Sequence, residues 1–427
     1  MTGRGIFAGI PRGIRALLLA NFFSTFAYLG IITFAGDQVF AITGRELDLG
    51  LLGLAAFTPI FILSPMAGTV VDRFDRRLAY GGAVIIEVTI AAALFFYVRS
   101  EPTNVWPIFA LIAAFGACRA FAAPASRAMP IDLAPPESLE RVIAVKALAF
   151  QSGVIAGPIV AGFAAAIAPE LPYLIATVLL VIVLGLLTQV PKPPIEQLET
   201  PPGALQAFRD AVDGLRYIRH NQILLAAISL DLFAVLLGGA TALLPALVAE
   251  RLGGGEIGLG VLRAADGIGA ASMSLLIAWR PFKRRIGKIL LGSVAVFGFA
   301  TIALGLTRSF AVAFAAIFVL SAADAVSVYI RSSVVPLATP EVMRGRVIAL
   351  ENVFIGGSNE LGALESGVAA QFIGLVGAIV TGGLGTLGIV VLWWRWFPAL
   401  RRIDRFDDVV PLDPARTKLP KPPPSPA

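Results

Sequence analysis

The sequence predicts an all-α membrane protein whose twelve transmembrane helices form two six-helix bundles related by a parallel pseudo-twofold axis. The first observation is composition: 57% of the 427 residues are hydrophobic and 15% are charged, against about 45–50% and about 25% in soluble domains. The second is twelve apolar stretches, each near the roughly 20 residues that cross a bilayer as a helix. The third is a repeat between the two halves of the chain.

The apolar stretches, numbered here as spans 1 to 12, fall into two sets of six. Spans 1 to 6 are predicted near residues 16–40, 48–71, 78–97, 105–125, 143–167 and 171–190. Spans 7 to 12 are predicted near residues 224–247, 257–279, 287–307, 310–330, 348–372 and 375–395.

The polar gap between the two groups of spans defines the predicted domain boundaries. Residues 1–190 are expected to form an N-terminal six-helix bundle and residues 223–400 a C-terminal one. In the linker over 191–222, apolar residues recur at helical spacing with charges between them, which predicts an amphipathic helix on the cytoplasmic face. The Pro-rich tail over 401–427 is expected to be cytoplasmic and partly disordered.

The repeat lies in the connector between the fourth and fifth span of each half. Leu133-Ala-Pro-Pro-Glu137 aligns with Leu337-Ala-Thr-Pro-Glu341, and Arg141-Val-Ile-Ala144 aligns with Arg346-Val-Ile-Ala349, at offsets of 204 and 205 residues. An even number of helices per repeat keeps both halves in the same orientation, which is the parallel type of duplication.

The basic residues predict the orientation in the membrane. If both termini are cytoplasmic, 27 of the 34 Lys and Arg residues lie in inner segments and four lie in outer loops, as the positive-inside rule requires. Their dispersal among short loops argues against nucleic-acid binding. One cysteine and one histidine leave no ligand set for a Cys- or His-based metal site. Motifs of hydrolases, metalloproteases and P-loop enzymes are also missing from the sequence, so no enzyme activity and no cofactor are predicted.

A charged string follows span 2 and reads Gly68-Thr-Val-Val-Asp72-Arg73-Phe74-Asp75-Arg76-Arg77. Five charges in six residues must face water, because each would cost several kcal/mol in hydrocarbon. The pattern resembles the loop between helices 2 and 3 of the major facilitator superfamily of secondary transporters. That resemblance implies a cytoplasmic gate that closes against helix 11, with the candidate residues Gly68, Asp72, Arg73, Arg76, Arg77 and Glu351.

Further segments resemble the bacterial branch of this superfamily that contains the enterobactin exporter and the transmembrane secretion effectors. They include Arg119-Ala-Phe121, Gly153-Val-Ile-Ala-Gly157-Pro158, Leu230-Asp231, Asp324-Ala-Val-Ser327 and Ser358-Asn359-Glu360. The sequence departs from the branch at Lys146, Asp266 and Ala363. The resemblance implies a monomeric, proton-coupled antiporter of a bacterial inner membrane. It would export an amphipathic small molecule, such as a siderophore, a peptide-like metabolite or a drug, by alternating access.

Polar residues within the spans are the candidates for this chemistry, since ionisable groups in lipid are functional candidates by default, and in the superfamily helices 1, 4, 7 and 10 line the cavity. The candidates for proton coupling or substrate contact are Asp37, Arg119, Asp231, Asp324, Glu360 and Glu365, and the polar cavity candidates are Asn21, Tyr28 and Asn359. Asp231 could carry the coupling proton, or it could be a helix-end carboxylate in water or paired to an arginine.

Span 5 carries small residues at four-residue spacing, namely Gly153, Gly157, Pro158 and Gly162. Close helix packing alone explains such a pattern. The resemblance implies instead the helix-5 motif of antiporters, which favours export.

Two other functions stay open. The same fold could transport or flip a lysophospholipid or another lipid that enters between helices. A non-transporting membrane sensor is the remaining alternative.

Overall fold

The computed structural model describes residues 10–73, 75–192 and 204–411, with side chains described outside 64–73, 127 and 204–208. These residues form helices and connecting loops, without a strand in the described ranges. Spans 1 to 6 are Arg12–Thr43, Glu46–Arg73, Arg76–Arg99, Trp106–Asp132, Leu139–Ala165 and Leu171–Leu187. Spans 7 to 10 are Gln222–Leu252, Gly255–Trp279, Ile286–Leu306 and Phe310–Leu337, and spans 11 and 12 together occupy Glu341–Trp396.

Spans 11 and 12 are separated at Gly374. A continuous helix of 56 residues would be roughly 84 Å long at 1.5 Å per residue, far more than the ~30 Å hydrocarbon core. Gly374 interrupts it with φ 75° and ψ 161°, a conformation that glycine adopts without a Cβ clash. The break lies between the two predicted spans, 348–372 and 375–395. With the 17-residue span 6, the described part of the chain therefore provides twelve apolar passages.

Span 7 changes its helical geometry midway. An α-helix over Gln222–Leu237 is followed by a 3₁₀ segment, Gly239–Leu243, and later by a π-helix over Val248–Leu252. At Gly239 the backbone touches span 11, because a Cβ there would lie 2.4 Å from the carbonyl oxygen of Gly362. The close approach of two glycines lets these two spans meet at backbone distance.

The described chain divides into two compact units. One comprises residues 1–199 with Leu243–Gly267, and the other comprises Thr200–Ala242 with residues 268–427. In each unit buried apolar side chains form the interior. Large apolar side chains on the outside, such as Phe96, Leu275 and Phe372, are more than two-thirds exposed. That distribution suits a surface surrounded by lipid tails, which solvate apolar side chains as well as a protein interior does.

The linker contains a helix, Ala204–His220, which belongs to the second unit. The guanidinium of Arg346 lies 2.8 Å from the carboxylate of Asp210. The hydroxyl of the fully buried Tyr217 donates to the carbonyl oxygen of Ala338 at 3.1 Å, and so does the side-chain amide of Asn221. Asn221 also caps span 7 by accepting from the backbone N–H groups of residues 223 and 224. The linker helix is thus attached to the end of span 10 and the start of span 11.

Spans 1 and 5 pack at backbone distance in the first unit. A Cβ on Gly157 would lie 2.7 Å from the carbonyl oxygen of Phe26, and one on Gly153 would lie 3.0 Å from that of Phe22. Gly162 makes the corresponding approach to span 8, where a Cβ would lie 3.2 Å from the Cα of Gly260. Pro158 is buried between these glycines. The small residues of span 5 therefore serve two helix contacts.

We predict that Gly157→Ala destabilises the protein. Its methyl group would meet backbone atoms of span 1, which cannot rotate away, so the two spans must separate at a cost of roughly 1–3 kcal/mol. The matched control is Gly185→Ala in span 6, where a Cβ would meet nothing within 4 Å. Thermal unfolding in detergent should show a lower melting temperature for Gly157→Ala alone. Equal melting temperatures for the two variants would contradict the backbone contact.

Candidate functional site

A buried cluster of three charged side chains lies in the second unit. The guanidinium of Arg331 on span 10 is 2.9 Å from the carboxylate of Asp231 on span 7 and 3.7 Å from that of Glu351 on span 11. The side chains are 4%, 6% and 11% exposed, respectively. Two carboxylates share one guanidinium, so the formal charge of the whole cluster is −1 when all three groups are ionised.

A narrow pocket opens beside this cluster. It is lined from span 7 by Asp231 and Ala234, from span 9 by Ser293, and from span 10 by Asp324 and Ser327. Asp231 therefore contacts its ion-pair partner and lines the same pocket as a second membrane carboxyl group, that of Asp324. The pocket brings together two of the predicted residues, Asp231 and Asp324, on spans 7 and 10.

The first unit contains its own half-buried arginine. Arg119 on span 4 donates from Nη1 to the hydroxyl of Ser24 at 3.1 Å, and its guanidinium lies over the ring of Tyr28 at 4.7 Å. The carboxylate of Glu87 on span 3 is 4.0 Å away, is fully buried, and lacks a hydrogen-bond partner for either oxygen. Tyr28 in turn stacks on Phe115 at 6.0 Å between ring centroids. Arg119 is thus held by a hydroxyl, an aromatic face and one distant carboxylate.

Arg119 also faces a cavity of about 430 Å³ in the first unit. Spans 1, 3, 4 and 5 line it. The polar lining residues besides Arg119 are Asn21, Ser24, Thr25, Tyr80, Ser126 and Lys146, and the apolar ones include Ile143, Ala147 and Phe150. Asn21 donates from its side-chain amide to the carbonyl oxygen of Ser126 at 3.3 Å. The cavity combines two cationic side chains with hydroxyl groups and apolar surface, so its chemistry suits an amphipathic anion.

The repeat relates the two clusters through one position. Arg141-Val-Ile-Ala-Val-Lys146 and Arg346-Val-Ile-Ala-Leu-Glu351 align without a gap. Lys146 lines the cavity of the first unit, and Glu351 joins the carboxylates of the second. The two halves therefore carry opposite charges at equivalent points of their sequences.

The arginines of the charged string brace the first unit. Arg76 pairs with Asp132 at the end of span 4, and Arg77 donates to the carbonyl oxygen of Val190 at 3.0 Å. Asp75 caps span 3 by accepting from the backbone N–H of Arg77. The side chains of Asp72 and Arg73, and the surroundings of Gly68, lie outside what the structure describes. The resemblance grouped Glu351 with this loop in the expected gate, and the ion pair that the structure describes joins Glu351 to Arg331.

The remaining predicted residues lie apart from these two clusters. Asp37 is half-buried near the end of span 1. Asn359 is exposed and donates to the carbonyl oxygen of Ile355 in its own helix at 2.8 Å. Glu360 and Glu365 are half-buried on span 11. Neither has an ion pair among the described residues. Because they lie in a membrane helix, both remain candidates for substrate contact.

Two charged residues of the clusters were not among the predicted site residues. Glu87 lies in an apolar run of span 3, and only its charge within that run could have drawn attention to it. Arg331 was grouped with the inner loop residues, although the structure extends span 10 to Leu337 and buries it. The helix end was set too early because Arg331 was interpreted as the end of the apolar stretch. Among the described residues, no group of three or more His, Cys, Asp and Glu side chains could hold a metal ion.

We predict that Arg331→Gln lowers the free energy of unfolding by about 3–5 kcal/mol, because it leaves the two buried carboxylates of Asp231 and Glu351 without their cation. Asp231→Asn leaves Arg331 paired with Glu351 and should cost less. The double variant Asp231→Asn/Arg331→Gln should lose less than the sum of the two single variants, because it also removes one of the carboxylates that Arg331→Gln leaves unpaired. Denaturant unfolding in detergent measures all three.

The control for this cycle is Asp407→Asn. Asp407 pairs with Arg405 at 3.4 Å, but the two side chains are 83% and 63% exposed, so removal should cost about 1 kcal/mol or less. Strict additivity of the two changes at 231 and 331 would show that the buried pair contributes nothing.

Comparison with known proteins agrees with this architecture. A curated relative, the uncharacterized MFS-type transporter YfiS of Bacillus subtilis (strain 168), is 24% identical over 414 residues, which cover 92% of this chain and 95% of the relative. A crystal structure of the peptide transporter POT matches with a TM-score of 0.76 at 12% identity, covering 94% of this chain and 97% of that one.

Two further solved structures share the fold. The nucleoside transporter NupG matches with a TM-score of 0.70 at 13% identity, covering 91% of this chain and 99% of that chain. The human organic anion transporter MFSD10 matches with a TM-score of 0.61 at 20% identity, covering 90% and 99%. At these identities the likeness shows the fold alone, and it confirms the predicted twelve-helix major facilitator architecture.

The sequence profile of the Major Facilitator Superfamily matches residues 17–355, which is most of the chain. The match includes most of span 1, the whole of spans 2 to 10, and the arginines of both charge clusters. The protein is therefore a multi-pass membrane transporter rather than an enzyme, and the chain belongs to the Major Facilitator Superfamily.

Proposed function

We propose that this transporter exports an amphipathic small molecule with an anionic group, driven by protons that enter in exchange. It would work in a bacterial inner membrane with both termini in the cytoplasm, as the distribution of basic residues favours. The observation that carries the proposal is the buried cluster of Asp231, Glu351 and Arg331, in which two carboxylates share one guanidinium.

The charge balance of this cluster suits a proton carrier. With all three groups ionised the formal charge is −1, and one proton on either carboxyl group neutralises the cluster. Charge interactions are much stronger inside a protein than in water, and a net charge in the membrane interior is costly. Protonation of Asp231 removes its attraction to Arg331 at 2.9 Å. That change releases span 7 from span 10, which is the kind of event that can couple a proton to a helix movement.

The cavity of the first unit supports the choice of substrate. A guanidinium has five N–H donors, and the structure uses one of those of Arg119 to bind Ser24. The others can bind a carboxylate, sulfonate or phosphate in the same cavity as Lys146. Phe150 and Ile143 supply apolar surface for the rest of the molecule. Siderophores, peptide-like metabolites and many drugs combine these two features.

The direction of transport rests on sequence resemblance. The segments shared with the enterobactin-exporter branch, and the small residues of span 5, favour efflux over uptake. We also propose that the string at residues 68–77 gates the cytoplasmic end of the first unit. Its anchoring through Arg76 to Asp132 and through Arg77 to Val190 supports that role.

We expect inside-out membrane vesicles with an acidified lumen to accumulate dansyl-leucine, an amphipathic carboxylate, and to accumulate less dansyl-leucinamide. A protonophore should abolish accumulation, and Asp231→Asn should remove the response to the pH gradient. Arg119→Gln should weaken dansyl-leucine binding roughly tenfold to a hundredfold, because a hydrogen bond to a charged group is worth about 1.5–3 kcal/mol. Accumulation that ignores the protonophore would contradict proton coupling, and equal transport of acid and amide would contradict the anion preference.

The gate is tested by labelling of a cysteine placed in the cavity. In a Cys118→Ala background, Ala147→Cys should react with a membrane-impermeant maleimide from the cytoplasmic side faster when Asp72→Asn is added. Glu140→Gln, a change of an exposed carboxylate in the first turn of span 5, is the control. Unchanged rates with Asp72→Asn would rule out the gating role.

A further inference from the structure

A strongly basic pocket of about 350 Å³ lies in the second unit, outside the two charge clusters. It is formed where span 9 begins and where the chain continues after span 12. Its lining residues are Arg285, Lys288, Arg401, Arg402, Ile403 and Asp404. Four of these six residues are cations, so the pocket is a candidate site for an anion.

The backbone holds the two sides of this pocket together. The N–H of Gly287 donates to the carbonyl oxygen of Ile403 at 3.0 Å. Gly287 has no room for a side chain, because a Cβ would lie 1.8 Å from the carbonyl oxygen of Leu400. The carboxylate of Asp404 accepts from Nε of Arg284 at 3.0 Å and from the backbone N–H of Arg285 at 3.1 Å. The segment after span 12 is therefore attached at defined points to the start of span 9.

Asp404 does not neutralise the pocket. Its hydrogen bond from Arg284, together with that from the backbone of Arg285, lowers its pKa below the ordinary 3.8, so it stays ionised at neutral pH. Its charge is balanced by Arg284, which lies outside the lining. Arg285, Lys288 and Arg402 are exposed, and within the described ranges none of them has an ion-pair partner. The pocket thus keeps an excess of positive charge that points to solvent or to lipid headgroups.

Tryptophans at the same ends of the spans indicate the depth of the pocket. Trp394 and Trp396 end span 12, are 41% and 65% exposed, and Trp394 lies under the guanidinium of Arg401 at 5.0 Å. Trp279 ends span 8, is 74% exposed, and lies under Arg280 at the same distance. Exposed tryptophans concentrate at the level of the lipid headgroups. The pocket therefore lies where lipid phosphates are, rather than free in the cytoplasm.

We propose that this pocket binds the phosphate of an anionic phospholipid, such as phosphatidylglycerol or cardiolipin. Arginine and lysine side chains donate to phosphate oxygens, and basic pockets on the cytoplasmic side of membrane helices bind such headgroups. The acyl chains would lie along the apolar surface of the membrane next to span 12. A soluble phosphate would offer the same chemistry to the cations, without the contact that the tryptophans make with the interface.

The test is native mass spectrometry of the full-length protein in detergent, with phosphatidylglycerol or phosphatidylcholine added to the micelles. The wild type should retain phosphatidylglycerol selectively. The triple variant Arg285→Gln/Lys288→Gln/Arg402→Gln should bind it roughly a hundredfold more weakly, since each basic residue near an anionic lipid strengthens binding about fivefold. The matched control, Arg45→Gln/Arg99→Gln/Arg308→Gln, removes the same charge from the predicted outer loops and should bind as the wild type does.

Each other outcome overturns the proposal. Equal loss in both triple variants would mean a general effect of net charge. Equal retention of phosphatidylcholine by the wild type would mean a site without selectivity for anions. Displacement of the lipid by millimolar inorganic phosphate or pyrophosphate would mean a site for a soluble anion. The single variants Lys288→Gln and Arg402→Gln, at exposed positions, provide the same comparison if the triple variant does not fold, and each should weaken retention several-fold.

Discussion

An arginine within a membrane helix needs anionic or polar partners from other helices, because the hydrocarbon core of the bilayer offers none. Arg331 meets this need through Asp231 and Glu351, so spans 7, 10 and 11 share one electrostatic contact. Arg119 meets it differently, through a hydroxyl, an aromatic face and a carboxylate at 4.0 Å. The positions of the helices in each unit follow from keeping these charges satisfied while apolar side chains face outward.

Glycine allows the close helix approach that these charged contacts also require. Charged groups meet only if their helices approach closely, and the approach of span 1 to span 5 and of span 7 to span 11 depends on positions without a side chain. Where the backbones touch, neither helix can shift freely along the other. Packing and electrostatics thus act on the same helices: spans 7 and 11 are joined both by Gly239 with Gly362 and by the partners of Arg331.

The number and order of the spans could be predicted from the sequence, because length and hydropathy are local properties. Local patterns also predicted the linker helix, and Gly374 falls between two predicted spans. The partners of the buried charges could not be predicted, since Asp231 and Arg331 are far apart in the chain and meet only through folding. Glu87 was missed for the related reason that a single acid in an apolar run does not show which helix it faces. The exact end of span 10 was missed because the sequence does not show whether an arginine is paired inside the membrane or solvated outside it.

The opposite signs of Lys146 and Glu351 have a consequence for the history of the chain. A transporter assembled from two identical copies of the first half would carry a cation at both of these positions, and one assembled from two copies of the second half would carry a carboxylate at both. Two copies that diverge after duplication can carry one sign in each half, and their fusion into one chain ensures that every transporter contains one copy of each kind. The single chain therefore does more than hold two halves together. It lets one half keep a cation and the other a carboxylate at equivalent positions, which a homodimer of identical halves could not do.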